Sequence, residues 1–167
     1  MMFTPSLFRH VNLPPAVVGE IYLHSLPGRY EPFVQCRAAL ERHAVTRIVS
    51  LLSLDEIQNK SPDYAHAITS HTLPCAWEMY PIPDFGVPSA MDTFTGLVRQ
   101  LAERVQAGER VLIHCGAGIG RTGMLALCVL LVLDMPMAEA EQAVRAAGAG
   151  PETAGQRRWV EEFAQHQ

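Results

Sequence analysis

Apolar positions along the chain recur with two periods, and the changes of period mark out elements. Over residues 88–107, Met91, Phe94, Leu97, Val98, Leu101 and Val105 recur at helical spacing, which predicts a helix ended by Gly108. Residues 31–43 carry the same signature in Phe33, Cys36, Ala39 and Leu40. Short runs rich in β-branched residues predict central strands over 45–52 and 110–114. Residues 21–23 read as an edge strand and 76–80 as a further strand. Residues 55–57 and 61–70 read as short helical pieces, the second entered through Ser61 as N-cap and Pro62 in the first turn. Residues 121–133 are apolar almost without interruption, which predicts a helix buried on all sides. Helices over 137–147 and 153–166 close the chain, whereas the first twenty residues contain prolines and read as irregular.

Strands that alternate with helices, followed by an all-helical tail, predict an α/β fold. Its centre is a mostly parallel sheet of 4–5 strands flanked by helices. At 167 residues the chain is long enough for one domain with a real core, and residues 1–167 are read as that single domain.

Composition narrows the function. Hydrophobic residues make up 49% and charged residues 18%, which suits a compact soluble enzyme. A net charge of −4 argues against nucleic acid or a polybasic membrane contact as partner. The apolar run 124–133 is too short for a membrane span of about 20 residues. The leading Met1-Met2-Phe3-Thr4-Pro5 lacks the basic start and long apolar core of a signal peptide. The four cysteines Cys36, Cys75, Cys115 and Cys128 form no C-x-x-C pair, and the histidines are scattered. That pattern fits a reducing compartment, with no metal site and no cofactor expected. Cys128 and Cys36 read as packed helix residues, and Cys75 as a strand-end cysteine or a resolving thiol for Cys115.

The chemistry concentrates in His114-Cys115-Gly116-Ala117-Gly118-Ile119-Gly120-Arg121-Thr122-Gly123. Alternating glycines let the chain approach a ligand closely, and successive N–H groups in such a turn form a nest for an anion. The helix that follows aims its positive end at the same point. Arg121 adds a planar fork suited to two phosphate oxygens. A thiol in that positive setting is favoured as thiolate, so Cys115 can attack phosphorus. Gly116, Ala117, Gly118, Ile119, Gly120 and Arg121 would cradle the phosphoryl group. Thr122 would hydrogen-bond the sulfur, and His114 would brace the loop from behind.

Other readings of these letters are weaker. Residues 118–123 match G-x-G-x-x-G after a strand, but 134–136 lead into a second helix rather than the strand a dinucleotide fold requires. A phosphate-loop NTPase needs Lys where Arg121 stands. A buried structural cysteine would not account for the glycines, Arg121 and Thr122 together.

The residues His114, Cys115, Arg121 and Thr122 resemble the His-Cys-x5-Arg-Ser/Thr signature of cysteine-dependent protein tyrosine phosphatases, including dual-specificity phosphatases. The resemblance implies a dual-specificity phosphatase-like fold and hydrolysis of phosphomonoesters through a phosphocysteine intermediate. It also implies an aspartate general acid about thirty residues upstream, where Pro83-Asp84-Phe85-Gly86 offers Asp84. Asp84 sits in a turn with a glycine hinge, beside an apolar Phe85 that would bury the carboxyl and favour its protonated form. Taken alone it would be an ordinary turn aspartate. Many family members have Trp where this chain has Ile82.

Leu26-Pro27-Gly28, Gly150-Pro151-Glu152-Thr153 and Gln156 look like the small kinase-associated phosphatase branch and its prokaryotic relatives. By that resemblance Gln156 would orient the hydrolytic water; otherwise it is a surface residue of the last helix. The expected partner is a phosphorylated protein or peptide, with phosphate, vanadate or sulfate as active-site anion. Hydrolysis of inositol phosphates or phosphoinositides is the enzymatic alternative, although Gly116 and Ile119 stand where lysines would help bind extra phosphates. A catalytically silent phosphopeptide-binding module is the non-enzymatic one.

Overall fold

The computed structural model describes residues 6–167. Its strands are β1 (Arg9–His10), β2 (Glu20–His24), β3 (Arg47–Ser50), β4 (Ala76–Met79) and β5 (Arg110–His114). Its helices are α1 (Phe33–Arg42), α2 (Leu54–Lys60), α3 (Pro62–Thr69), α4 (Met91–Gln106), α5 (Gly120–Val132), α6 (Met137–Ala146) and α7 (Ala154–Gln165). The strands form one sheet in the order β1-β2-β5-β3-β4. β2, β5, β3 and β4 run parallel, and β1 pairs antiparallel with β2. The mostly parallel sheet and the helical tail are as the alternation of periods predicts.

Side chains alternate across the sheet. Ile48, Leu112 and Tyr22 pack with Cys36, Ala39 and Leu40 of α1 on one face. Leu23, Val49, Val111 and Ile113 face the other way, into the larger core with α4, α5, α6 and α7. Full burial of each Leu, Ile or Phe contributes about 1.5–3 kcal/mol. The periodic residues of α4 are the buried ones, and α5 is buried without a break from Gly120 to Leu130.

Several expectations are corrected. Residues 21–23 do not form an edge: β2 lies between β5 and β1, with Arg9 opposite Leu23 and His10 opposite Tyr22. A two-residue strand is too short to leave a period in the sequence, so β1 reads as irregular chain. β3 is shorter than 45–52. Ser50 ends it by bonding back to Leu52, its Oγ both donating to the Leu52 carbonyl and accepting from the Leu52 N–H. Ser61 does not cap α3. Its hydroxyl donates instead to the Pro27 carbonyl at 2.6 Å, a stronger claim on it than an exposed cap. Ser53 caps α2 and Thr153 caps α7 through their side chains.

The parallel strands end on one side of the molecule, where open α/β sheets gather their functional loops. The loop after β2 carries Arg29, the helix after β3 ends at Lys60, the loop after β4 carries Asp84, and the loop after β5 carries Cys115.

Candidate active site

Cys115 follows the last residue of β5 and is 2% exposed, at the base of the loop that leads into α5. The N–H of Gly118 donates to its sulfur at 3.3 Å, so the loop wraps the thiol as an anion nest would. Gly118 has φ +74°, and any side chain there would run into the His24 carbonyl of the neighbouring strand. Arg121, in the first turn of α5, is buried. Its Nη1 donates to the Ile82 carbonyl at 2.9 Å, and its Nη2 to Asp84 Oδ1 at 3.2 Å. Thr122 Oγ1 is buried and has no hydrogen-bond partner among the described residues.

The Asp84 loop is a tight turn closed by a Gly86 N–H to Pro83 carbonyl bond of 2.8 Å. Phe85 takes φ +57° in that turn, a left-handed conformation that costs a non-glycine residue about 1–2 kcal/mol. Such strain concentrates at functional loops. It also corrects the expected burial of the carboxyl: the turn directs Phe85 outward at 62% exposure, and the Asp84 side chain is 66% exposed. Asp84 is held by Arg121 rather than by an apolar wall. Ile82 is buried and anchored by its N–H to the Leu51 carbonyl.

Gln156 is wholly buried, not a surface residue. Its Oε1 accepts from the Glu152 N–H at 2.8 Å and its Nε2 donates to the Gly86 carbonyl at 3.1 Å. It thereby joins the α6–α7 connection to the Asp84 loop. Together these groups line a cavity of about 190 Å³ with Arg29, Lys60, Phe85, Gly116, Ala117 and Glu152. A larger cavity of about 580 Å³, floored by Leu127, Val144 and Val160, lies between α6 and α7 and does not include Cys115.

The loop is braced from behind by residues that carry no sequence signal. Trp77 Nε1–H donates to the Tyr64 hydroxyl at 2.9 Å, which leaves Tyr64 to donate to His114 Nε2 at 2.8 Å. His114 Nδ1–H then donates to the Cys115 carbonyl at 3.2 Å. The ring is neutral in this chain, and burial pushes its pKa down to about 3. His114 thus lies behind the loop, with Tyr64 and Trp77 supplied by α3 and β4. On the outer face, Arg9 donates to the carbonyls of Gly118, Ala147 and Gly148 at 2.7, 2.9 and 3.1 Å.

Cys128 is buried within α5 in the same core as Cys115, and the other two cysteines lie elsewhere. Cys36 and Cys75 belong to the α1 side of the sheet and Cys115 to the other, so the partner expected of a resolving thiol is not near. Burial pushes the Cys36 thiol up to about 12 and Cys75 to about 11. The scattered histidines predict no metal cluster, yet the fold brings ligand-type atoms of His24, Glu31 and Cys36 within 4.8 Å of one another. His24 and Glu31 already pair directly at 2.7 Å.

A family model described as Swiss Army Knife protein, DSP-PTPase phosphatase domain, matches residues 27–162. Receptor-type tyrosine-protein phosphatase H of Homo sapiens is 47% identical over 53 residues, covering 29% of this chain and 5% of that protein. Tyrosine-protein phosphatase non-receptor type 20 of Rattus norvegicus is 31% identical over 100 residues, covering 60% of this chain and 22% of that one. The chain thus spans less than a third of either relative. Among solved structures, a kinase associated phosphatase with its catalytic-site cysteine replaced by serine superposes with a TM-score of 0.81 at 20% identity, covering 98% of this chain and 96% of that one. Tk-PTP in its active form superposes with a TM-score of 0.71 at 22% identity, covering 92% and 99%. At those identities the likeness concerns the fold.

Proposed function

The chain belongs to the DSP-PTPase phosphatase domain family, and from that premise we propose that it hydrolyses phosphomonoesters on proteins through a phosphocysteine at Cys115. The observation that carries the proposal is one cavity lined by Cys115, Arg121 and Asp84, with a backbone N–H already on the sulfur. In the first step the Cys115 thiolate attacks phosphorus and the P–O bond to the substrate breaks. The leaving oxygen takes a proton from Asp84. In the second step water attacks phosphorus, Asp84 takes its proton, the P–S bond breaks, and thiolate and inorganic phosphate are released. The loop amides from Gly116 to Gly120 and the Arg121 fork hold the oxygens throughout. Thr122, with a buried unpartnered hydroxyl, is the donor for the departing sulfur. Gln156, tied to the Asp84 loop, orients the water.

Arg121 adds a coupling. Both its Nη groups are engaged by residues 82–84. A phosphate held by the remaining guanidinium N–H groups would share Arg121 with that segment, so anion binding and the position of the acid are expected to be linked.

Proteins phosphorylated on tyrosine, or on tyrosine and on serine or threonine, are the proposed substrates, with phosphate, vanadate and sulfate as competing anions. A cytoplasmic, reducing setting belongs to the same proposal: the thiolate requires it, and all the cysteines are free. The test is turnover of an aryl phosphate. Cys115→Ser is expected to abolish it while still binding phosphate, and Asp84→Asn to lower kcat by about 10²–10⁴-fold. Near-normal turnover by Cys115→Ser sinks the mechanism. Phosphate binding without turnover by the unaltered chain would identify a binding module instead.

A further inference from the structure

We propose that the cavity rim carries a second anion subsite, formed by Arg29 and Lys60, which selects phosphorylated substrates bearing another acidic group beside the scissile phosphate. The inference rests on the phosphatase reading above and extends it to the substrate.

Lysines are absent from the Cys115 loop itself, which on sequence alone suits a guest with a single phosphate. The fold supplies cations from elsewhere. Arg29 Nη1 and Arg121 Nη2 lie 3.3 and 3.4 Å from the point where a side chain on Gly116 would begin. Two guanidinium groups therefore approach the same stretch of loop, and glycine at 116 leaves room for both. Like charges so placed repel unless an anion lies between or beside them.

Arg121 has Asp84 as its countercharge. Among the described residues neither Arg29 nor Lys60 has a carboxylate within ion-pair distance. Arg29 is exposed and lies 4.9 Å over the Tyr30 ring, a contact that orients the guanidinium without neutralising it. Lys60 is exposed at the end of α2.

The pair is also held together. The buried Ser61 hydroxyl donates to the Pro27 carbonyl at 2.6 Å and so fastens the α2–α3 junction to the loop after β2. Lys60 precedes one end of that bond and Arg29 follows the other. Gly28, at φ +86° and packed against the same hydroxyl, shapes the turn between Pro27 and Arg29. The two carboxylates that line the cavity, Asp84 and Glu152, come from other connections, after β4 and after α6. The phosphate in the loop is served by the amides and Arg121, so Arg29 and Lys60 are left for a second negative group. Two sources carry that chemistry: an acidic or phosphorylated residue next to the phosphorylated residue of a peptide, and a second phosphate on a small polyol.

The experiment compares kcat/KM across two arms: phosphotyrosine peptides flanked by Asp, Gln or Lys, and an inositol bisphosphate against a monophosphate. p-Nitrophenyl phosphate serves as the single-anion reference, and thermal melts confirm that the variants fold. The unaltered chain should favour the acidic member of at least one arm, and the arm that responds names the source. Arg29→Ala and Lys60→Ala should each lower that preference ratio roughly threefold, mainly through KM. Arg29→Glu/Lys60→Glu should invert it, and added salt should weaken it.

The subsite is overturned if the double variant leaves both ratios within twofold of the unaltered chain while p-nitrophenyl phosphate is still hydrolysed. It is equally overturned if Arg29→Ala slows every substrate alike, since Arg29 would then serve the scissile phosphate only. No turnover of p-nitrophenyl phosphate by the unaltered chain overturns the catalytic reading and the subsite with it.

Discussion

His114 shows how one side chain ties local chemistry to global stability. Its ring is enclosed, bonded at both nitrogens and neutral. A histidine whose folded pKa is depressed to about 3 binds its proton more readily in the unfolded chain, near pH 6.5. Stability is therefore undiminished by this group above about pH 6.5 and falls as pH drops from there towards about 3. We expect the fall to amount to a few kcal/mol and to be lost in His114→Gln. Denaturation at a series of pH values checks this. An unchanged slope in the variant would assign the acid sensitivity to other groups. His114 was readable in the sequence because it touches the cysteine in the chain. Tyr64 and Trp77, which determine its tautomer, were not, because they reach it only through packing.

β1 illustrates how little chain an element needs to matter. Two residues pair with β2, and that register delivers the Arg9 guanidinium to three backbone carbonyls that join the Cys115 loop to the end of α6. Gly118 and Gly148 both have positive φ, and a side chain on either would meet Arg9. Arg9 also lies outside the stretch matched by the family model, residues 27–162. We expect Arg9→Met to destabilise the fold by a few kcal/mol, the loss of several charge-assisted hydrogen bonds, and to weaken phosphate inhibition. Arg9→Lys should restore neither fully, since an ammonium lacks the planar fork. Denaturant unfolding and a phosphate Ki measure the two effects. Retention of both by Arg9→Met would reduce β1 to decoration.

The molecule as a whole is organised around the end of its sheet. Strand order β1-β2-β5-β3-β4 puts β5 at the centre, so the loop it carries is flanked by the connections that follow β2 and β3. Long-range contacts of this kind mean that a ligand in the cavity engages residues spread across the fold. A bound anion should therefore stabilise the chain by mass action. Phosphate at 100 times its Kd adds about 2.7 kcal/mol, which at this size raises Tm by roughly 5–10 °C. Thermal melts across a phosphate series test it, and Cys115→Ser should keep most of the shift. A flat Tm would mean that the cavity does not bind the anion. Among the described residues no helix is long and apolar enough to cross a membrane.

Sequence by itself determined the elements with strong periods and the chemistry written in one contiguous run. α4 and α5 were legible because burial repeats with the helix turn, and residues 114–122 because a nest, a thiol and a guanidinium were adjacent along the chain. Asp84 became legible once that loop was recognised, although its surroundings did not: a turn that strains Phe85 outward leaves the carboxyl exposed to solvent and to Arg121. Tertiary structure alone decided what meets across distance. It brought Arg9 under the loop, Tyr64 and Trp77 behind His114, Gln156 onto Gly86, and Arg29 with Lys60 onto the rim. None of these pairs shares a spacing that a single chain could advertise. They meet because parallel strands deliver their connections to one end of a sheet, and that convergence exists only after folding.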